Sequence, residues 1–421
     1  MAMNDQALRL DPARLGRTLD DVSEIGNRFA GTPGEIAARD YLHARFEALG
    51  LVDARLEPFP YLAYERGLAS CVLRGPAGVE FECHPLQYTA IGDVSGEAVY
   101  LGEATDADFA RIDSRGVDLG GKVVVVHSTF PFDLTSILEE RGVAGLVHIC
   151  ETPDGIVGNF TGALYPPPLA PPWDGRPTAY CGVTVSHPDG RILISALTDG
   201  APAEIRLSHS GRYREATAHN VVGEIPGSEP GAVILSAHYD SQAEGPCVFD
   251  NGSGLASLLE SGRVLLESYP RRTIVLLASA AEEIGIWGAT AYVHAHAREM
   301  DDVVGMVNLD GIASAYPSHR EIWSADGGLL QLALEAGRMQ GWEPHRVMHA
   351  RSTFSDHAPF AAAGVPACLL WRPDYPYYHS RGDVRALVDE VAIAETASVS
   401  ASLAYRLAAD PNALPDRLPA Q

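Results

Sequence analysis

The chain has 421 residues, 46% of them hydrophobic and 20% charged, a soluble globular composition too long for one ordinary core. Its formal charge of -24 argues against nucleic acid or an anionic membrane surface as partner, because phosphate binders need clustered Lys and Arg. The start MAMNDQALRLDPARLGRTLDD has no apolar core behind a basic segment, no run is long enough to span a bilayer, and six cysteines form no CxxC pair. A reduced, cytoplasmic setting is therefore expected.

In chain order, GTPGEIAARDYLHARFEALGL predicts a helix: Thr32 caps it, Pro33 takes its first position, Glu35 falls at N3 of a capping box and Gly50 stops it. From about Tyr64 to Tyr213 the rhythm changes to short β-type runs, GKVVVVHS and AGLVHIC, joined by the helical DLTSILEERG and followed by the proline-rich loop YPPPLAPPW. No concentrated set of His, Asp or Glu stands out at these strand ends, so residues 64-213 read as an inserted accessory module that shapes or shields a cleft and aids dimerisation. Next come GAVILSAH, RTIVLLASA, DVVGMVNLD and VPACLLW, continuous apolar runs of the kind that form strands buried on both faces. Helical patterns such as SGLASLLESGRVLLES and GGLLQLALEAGRMQG lie between them. This alternation predicts an α/β layered domain with a largely parallel sheet, whose ligands bind beyond the carboxyl ends of the strands.

Those ends carry the chemistry. The first run finishes at His238 with Asp240 two residues on, the second in Glu282 and Glu283, the third at Asp310, and the loop after the fourth brings His379; Asp250 stands in the turn before a helix. Alone, each has a plain structural use as a cap, a turn residue or a solvated face. Together, two His and three carboxylates make an N/O ligand set suited to zinc, with manganese and cobalt as weaker fits. Five ligands and a spare acid suit two metals: Asp250 bridges, His238 and Asp310 complete one site, and Glu283 and His379 the other. Two ions about 3.5–4 Å apart would lower the pKa of a shared water and polarise a scissile carbonyl. Glu282 is left as general base. Asp240 is expected to accept the far N–H of His238 and fix its tautomer.

AHYDS, DNGSG, ASAAEEIGIWGA, VNLDGI, SDHAPF, GVPACLL and YYHSRGD, in this order, closely resemble the M28 zinc exopeptidases, aminopeptidases with co-catalytic zinc. The resemblance covers roughly residues 15-60 and 217-405. It implies a three-layer zinc-exopeptidase fold from residues 1-63 and 214-421, the same ligands and base, and a cis Asp250–Asn251 peptide. The middle region resembles the mainly β protease-associated (PA) insert of some members, in DLGGKVVVVHS, RGVAGLVHI and CGVTVSHPDGRILISAL.

One departure bears on substrate. Members often carry a Tyr just before SDH, where this chain has MHARSTFSDH, with Arg351, Ser352 and Thr353. Arg351 would either replace that oxyanion donor or grip a substrate carboxylate, with Arg372 and Arg381 as alternative cations. Tyr375, Tyr377, Tyr378 and Trp371 suit an apolar substrate pocket. The expected activity is removal of N-terminal residues from peptides or amino-acid conjugates. Its alternatives are a carboxypeptidase, dipeptidase or N-acyl amino acid amidohydrolase on the same two-metal site, and a glutaminyl cyclase binding one zinc.

Overall fold

A computed structural model describes residues 8-75, 78-127, 130-162, 177-198, 202-312, 314-316, 319-350, 354-410 and 412-414. It is built on two eight-stranded sheets. The first runs, edge to edge, Val52–Glu65, Arg212–Ile225, Thr273–Ser279, Ala232–His238, Val303–Leu309, Ala367–Trp371, Glu321–Ser324, Arg346–His349. Its four central strands, Thr273–Ser279 through Ala367–Trp371, are mutually parallel, and antiparallel neighbours flank them on both sides.

The continuous apolar runs follow from burial of both faces. Val233, Leu235, Ile274, Leu276, Val307 and Leu309 belong to a core shared with helices Pro12–Ile25, Pro33–Leu49, Ser253–Leu266, Gly327–Gln340 and Glu390–Ala409. The alternate residues Ile234, Val275, Leu277 and Met306 face a second core with helices Trp287–Ala295 and His357–Ala362. Period-two alternation thus sends the apolar residues of the runs into one layer or the other, giving the three-layer α/β architecture expected. The Pro33–Leu49 helix begins as read: Thr32 accepts from Glu35 N, Pro33 sits in the first turn, and Gly50 closes it in the left-handed region.

The second sheet draws its strands from residues 69-209, with Gly92–Gly102, Val123–Val126, Gly145–Ile149 and Cys181–Val185 as parallel neighbours near its middle. The chain reaches it along a long antiparallel ribbon in which Val52 to Glu65 pairs with Glu224 to Arg212. Three α-helices, Asp106–Ser114, Thr135–Glu140 and His187–Thr198, accompany it among the described residues. All six cysteines are unpaired.

Candidate metal centre

His238 ends its strand, and Asp310 follows directly on the next. Asp250 lies in the loop leading into the Ser253–Leu266 helix, where the Asp250–Asn251 peptide is cis, as the resemblance implied. Asn251 stitches that loop to the sheet: its amide donates to Leu309 O at 2.8 Å, and its carbonyl oxygen accepts from Gly254 N at 2.9 Å. A Cβ on Gly254 would stand 2.3 Å from that oxygen, which is why glycine follows Ser253 here.

The two carboxylate oxygens of Asp250 are divided between two histidines. Oδ1 is 3.2 Å from His238 Nε2, and Oδ2 is 3.3 Å from His379 Nε2. His238 Nε2 also lies 3.4 Å from Asp310 Oδ1, and His379 Nε2 lies 3.1 Å from Glu283 Oε2. All five residues predicted as ligands therefore meet in two triads that share Asp250, the ligand atoms of each triad lying within 4.8 Å of one another. Charge-assisted N–H···O bonds are shorter, about 2.7–2.9 Å, whereas two ligands on one tetrahedral zinc with bonds of about 2.05 Å stand roughly 3.3 Å apart.

The electrostatics agree with a site built for cations. Burial and neighbouring carboxylates push Glu282 well above its ordinary range, and burial with the nearby Asp250 charge raises Glu283 to about 7. Asp356, beneath them, is raised to about 7, mainly by burial. Burial would lower both imidazoles, yet the surrounding acids win, lifting His238 well above its usual value and His379 to about 9. Carboxylates and imidazoles both move up because the cluster carries excess negative charge in a low-dielectric place. Asp250 moves the other way: the two rings outweigh its burial and hold it below the normal carboxylate range. Asp250 Oδ1 and Glu283 Oε1 are buried without a hydrogen-bond partner among the described residues, as open ligand positions would be. Donor type, spacing, charge and these orphaned oxygens all fit zinc.

Glu282 is adjacent, with Oε2 3.9 Å from His238 Nε2. Asp240 differs from expectation in its main partners. It is 3.5 Å from His238 Nδ1, but its two oxygens accept from Glu282 N at 3.0 Å and Glu283 N at 3.2 Å. The turn after the Thr273–Ser279 strand points these amides at it, so one buried carboxylate positions both acids and the histidine. Cys247, Ala281, Ile286, Ser355 and His379 all have positive φ, a concentration of costly backbone around one site.

Several supporting residues were not read from the sequence. Asp383, in the quoted YYHSRGD, accepts from Phe249 N at 2.9 Å and Asp250 N at 3.0 Å. Buried Arg28 donates to Tyr239 O at 2.9 Å and Cys247 O at 3.0 Å, clamping the loop between His238 and Asp250. Residues 64-213 reach the centre too. Thr161 Oγ1 donates to Glu283 O at 2.9 Å, Asn159 N donates to His379 O at 2.8 Å, and Gln87 bonds to Gln242, which donates to Glu283 Oε2 at 2.9 Å. Only spatial proximity joins these groups, so no local pattern could reveal them.

A pocket of about 50 Å³ contains Asp250, Glu282, Glu283, Asp310 and His379 and is walled by Phe130, Phe132, Phe160, Ile286, Phe354 and Trp371. It adjoins a cleft of about 410 Å³. Tyr378 lines both and stacks on His379 at 3.7 Å between ring centroids. Trp371 and Tyr375 line the cleft as expected, whereas Tyr377 turns to Asp154, its hydroxyl donating at 2.6 Å. Arg351, Ser352 and Thr353 lie outside the described residues, as does the YPPPLAPPW loop. His296 pairs with Glu57 at 3.1 Å, and His357 is buried beneath the site with its imidazole lowered to about 3 by burial.

One expectation is overturned. The middle region does gather ligand-type residues at strand ends, because the parallel order of its strands brings His127, Glu151 and His187 together.

This arrangement, polar ligands at the ends of parallel strands beneath an apolar pocket, defines a metal-dependent hydrolase. Residues 220-404, the segment holding all the candidate ligands, match the model of Peptidase family M28. The chain is similar to a "probable leucine aminopeptidase 2" of Aspergillus oryzae, 25% identical over 359 residues covering 81% of this chain and 68% of that protein. Carboxypeptidase Q of Xenopus laevis is 25% identical over 410 residues, 92% of this chain and 84% of the other. The fold is shared with a zinc aminopeptidase from Bacillus subtilis, with a TM-score of 0.73, 20% identity and 96% of both chains covered.

Proposed function

We propose that this protein is a dinuclear zinc exopeptidase that releases N-terminal residues from peptides. The observation that carries the reading is Asp250, with one oxygen committed to the His238–Asp310 group and the other to the Glu283–His379 group. Zinc held by these five side chains would polarise the scissile carbonyl and lower the pKa of the attacking water. Glu282 is the general base: it carries no share of the two triads, its carboxyl has a raised pKa, and it faces the same pocket. It accepts the proton of the nucleophilic water and returns it to the leaving amine. Asp240 keeps Glu282 and Glu283 in place through their main-chain amides. The aromatic walls exclude water and receive an apolar side chain next to the scissile bond.

In this reading residues 64-213 are a PA-type insert that forms part of the active-site wall, through Phe130, Phe132, Phe160 and Thr161. The test is metal content and turnover together. Purified protein should carry close to two zinc ions, hydrolyse aminoacyl amide substrates, lose activity to a chelator and recover it with zinc or cobalt. A fully active protein with a single bound ion would refute the dinuclear centre.

A second reading, a dipeptidase or carboxypeptidase on the same centre, has one observation in its favour. Arg372 lines the larger cleft, as does Asp310, and its Nε and Nη1 are buried without a hydrogen-bond partner among the described residues. A substrate carboxylate would satisfy it. Arg372→Ala should then raise KM by ~10-fold or more for substrates with a free C-terminus and leave amidated ones unchanged. An equal effect on both would eliminate this reading.

A further inference from the structure

We infer that the rim of the cleft carries another zinc site, formed by His127, Glu151 and His187. The logic of the catalytic sheet recurs here. Val123–Val126, Gly145–Ile149 and Cys181–Val185 are adjacent parallel strands, and each is followed within two residues by a ligand-type side chain. Register alone therefore sets the three residues side by side. Their ligand atoms fall within 4.8 Å of one another.

The contacts suit a metal better than a salt bridge. Both His127 Nε2 and His187 Nδ1 converge on the same oxygen, Glu151 Oε1, the latter at 3.5 Å. That separation is close to the roughly 3.3 Å edge of a tetrahedral zinc site. His187 Nδ1 is also enclosed, with no hydrogen-bond partner among the described residues. A solvated glutamate needs no second imidazole on the oxygen that already faces one, whereas a shared cation explains the convergence. Two imidazoles and one carboxylate leave a fourth position for water, the composition of a partly open zinc site. The nearby Asp189 is not spare, since it accepts from Ser186 Oγ at 2.9 Å within its own helix start.

The position gives the site a consequence. Glu151 lines the larger cleft together with Phe130, and Phe130 also walls the catalytic pocket three residues after His127. A metal joining the three strand ends would fix the base of that aromatic wall. The site is thus structural, tightening one side of the substrate cleft, and it stands whether the catalytic centre takes one ion or two.

The experiment counts zinc on the full-length chain after equilibration with zinc and desalting. Three proteins are compared: the unmodified chain, the double variant His127→Gln/His187→Gln, and the double variant His238→Ala/His379→Ala. The rim variant should hold one equivalent less than the unmodified chain. The catalytic variant should be inactive yet retain one equivalent, removed by adding His187→Gln. Circular dichroism verifies folding, and His127→Gln alone serves if the double rim variant does not fold. Equal zinc in the rim variant and the unmodified chain, or none in a folded catalytic variant, would overturn the site. A wrong catalytic assignment would change the total but not the difference of one.

Discussion

Removing the Gln87 side chain should weaken the metal centre from a distance. Gln87 is 2% exposed, and its Nε2 donates to Gln242 Oε1 at 2.7 Å. Gln242 in turn donates to Glu283 Oε2, a proposed zinc ligand. In Gln87→Leu the Gln242 oxygen loses this donor inside a dry region, a cost of about 1–3 kcal/mol. The backbone should stay in place, because Gln87 N donates to Phe160 O at 3.1 Å and Gly162 N to Gln87 O at 2.7 Å. Gln242 is then free to rotate towards another donor, and Glu283 loses an oriented partner. At about 1.4 kcal/mol per decade, zinc affinity should fall between roughly 5-fold and 150-fold, within range of the 10–100-fold typical of outer ligand partners. Competition with a chelator of known affinity measures this, with denaturation midpoints run alongside to separate metal loss from unfolding. A folded Gln87→Leu protein with unmodified zinc affinity and kcat would refute the claim that this relay holds Glu283.

Three further outcomes follow from the same contacts. Glu282→Gln should keep its zinc while kcat falls by at least ~10²-fold, as measured by elemental analysis and steady-state turnover; release of metal would exchange its role with that of Glu283. Asp383→Asn should leave one of the Phe249 and Asp250 amides without an acceptor, costing about 1–3 kcal/mol in denaturant unfolding, and an unchanged midpoint would count against its anchoring role. His209 is 2% exposed, and burial lowers its imidazole to about 4, so the folded state resists its protonation. Its stabilising effect is complete above the unfolded value near 6.5 and is lost as pH falls towards 4, about 2 kcal/mol by pH 5. His209→Gln should flatten that loss, and an identical pH 7 to pH 5 decline in both proteins would refute it.

Much of the fold was legible because both-face burial leaves a local trace. The runs before His238, Glu282 and Asp310 are almost wholly apolar, with Ser236, Ser279 and Asn308 as exceptions, and the charged or imidazole residue that follows each run stands out against it. His238, Glu283 and Asp310 could be named from that contrast, whereas Asp250 stood out in the turn before a helix and His379 in the loop after the fourth run. His127, Glu151 and His187 escaped the same test although they also follow parallel strands. Their strands are short, four or five residues each, and long connections separate them, so nothing local declared that they were neighbours. Glu35 was legible as a capping residue but has a second role: its carboxylate accepts from Tyr239 OH at 2.7 Å, next to His238. A capping pattern accounts for the helix start and gives no sign of that tertiary partner.

The connection between the two sheets bears directly on mechanism. Sequence reading separates a chemical segment from an accessory one, since every candidate ligand of the catalytic centre falls outside residues 64-213. The contacts tie those regions together at the reacting end: Thr161 Oγ1 lies 2.9 Å from Glu283 O and 3.1 Å from Gln87 Oε1, and Asn159 N holds His379 O. Glu283 and His379 form the same proposed metal group, whereas Asp310 in the other group is braced by Ser355 from the loop before the His357–Ala362 helix, and Asp240 serves both groups. The two proposed metal positions therefore differ in their contacts with the insert, and disturbance of the insert should loosen the Glu283–His379 position first. Sequential zinc loss in Gln87→Leu, with the His238–Asp310 ion retained longer, is the outcome this asymmetry requires. Simultaneous loss at one chelator concentration would mean that Asp250 couples the two positions more strongly than the insert distinguishes them.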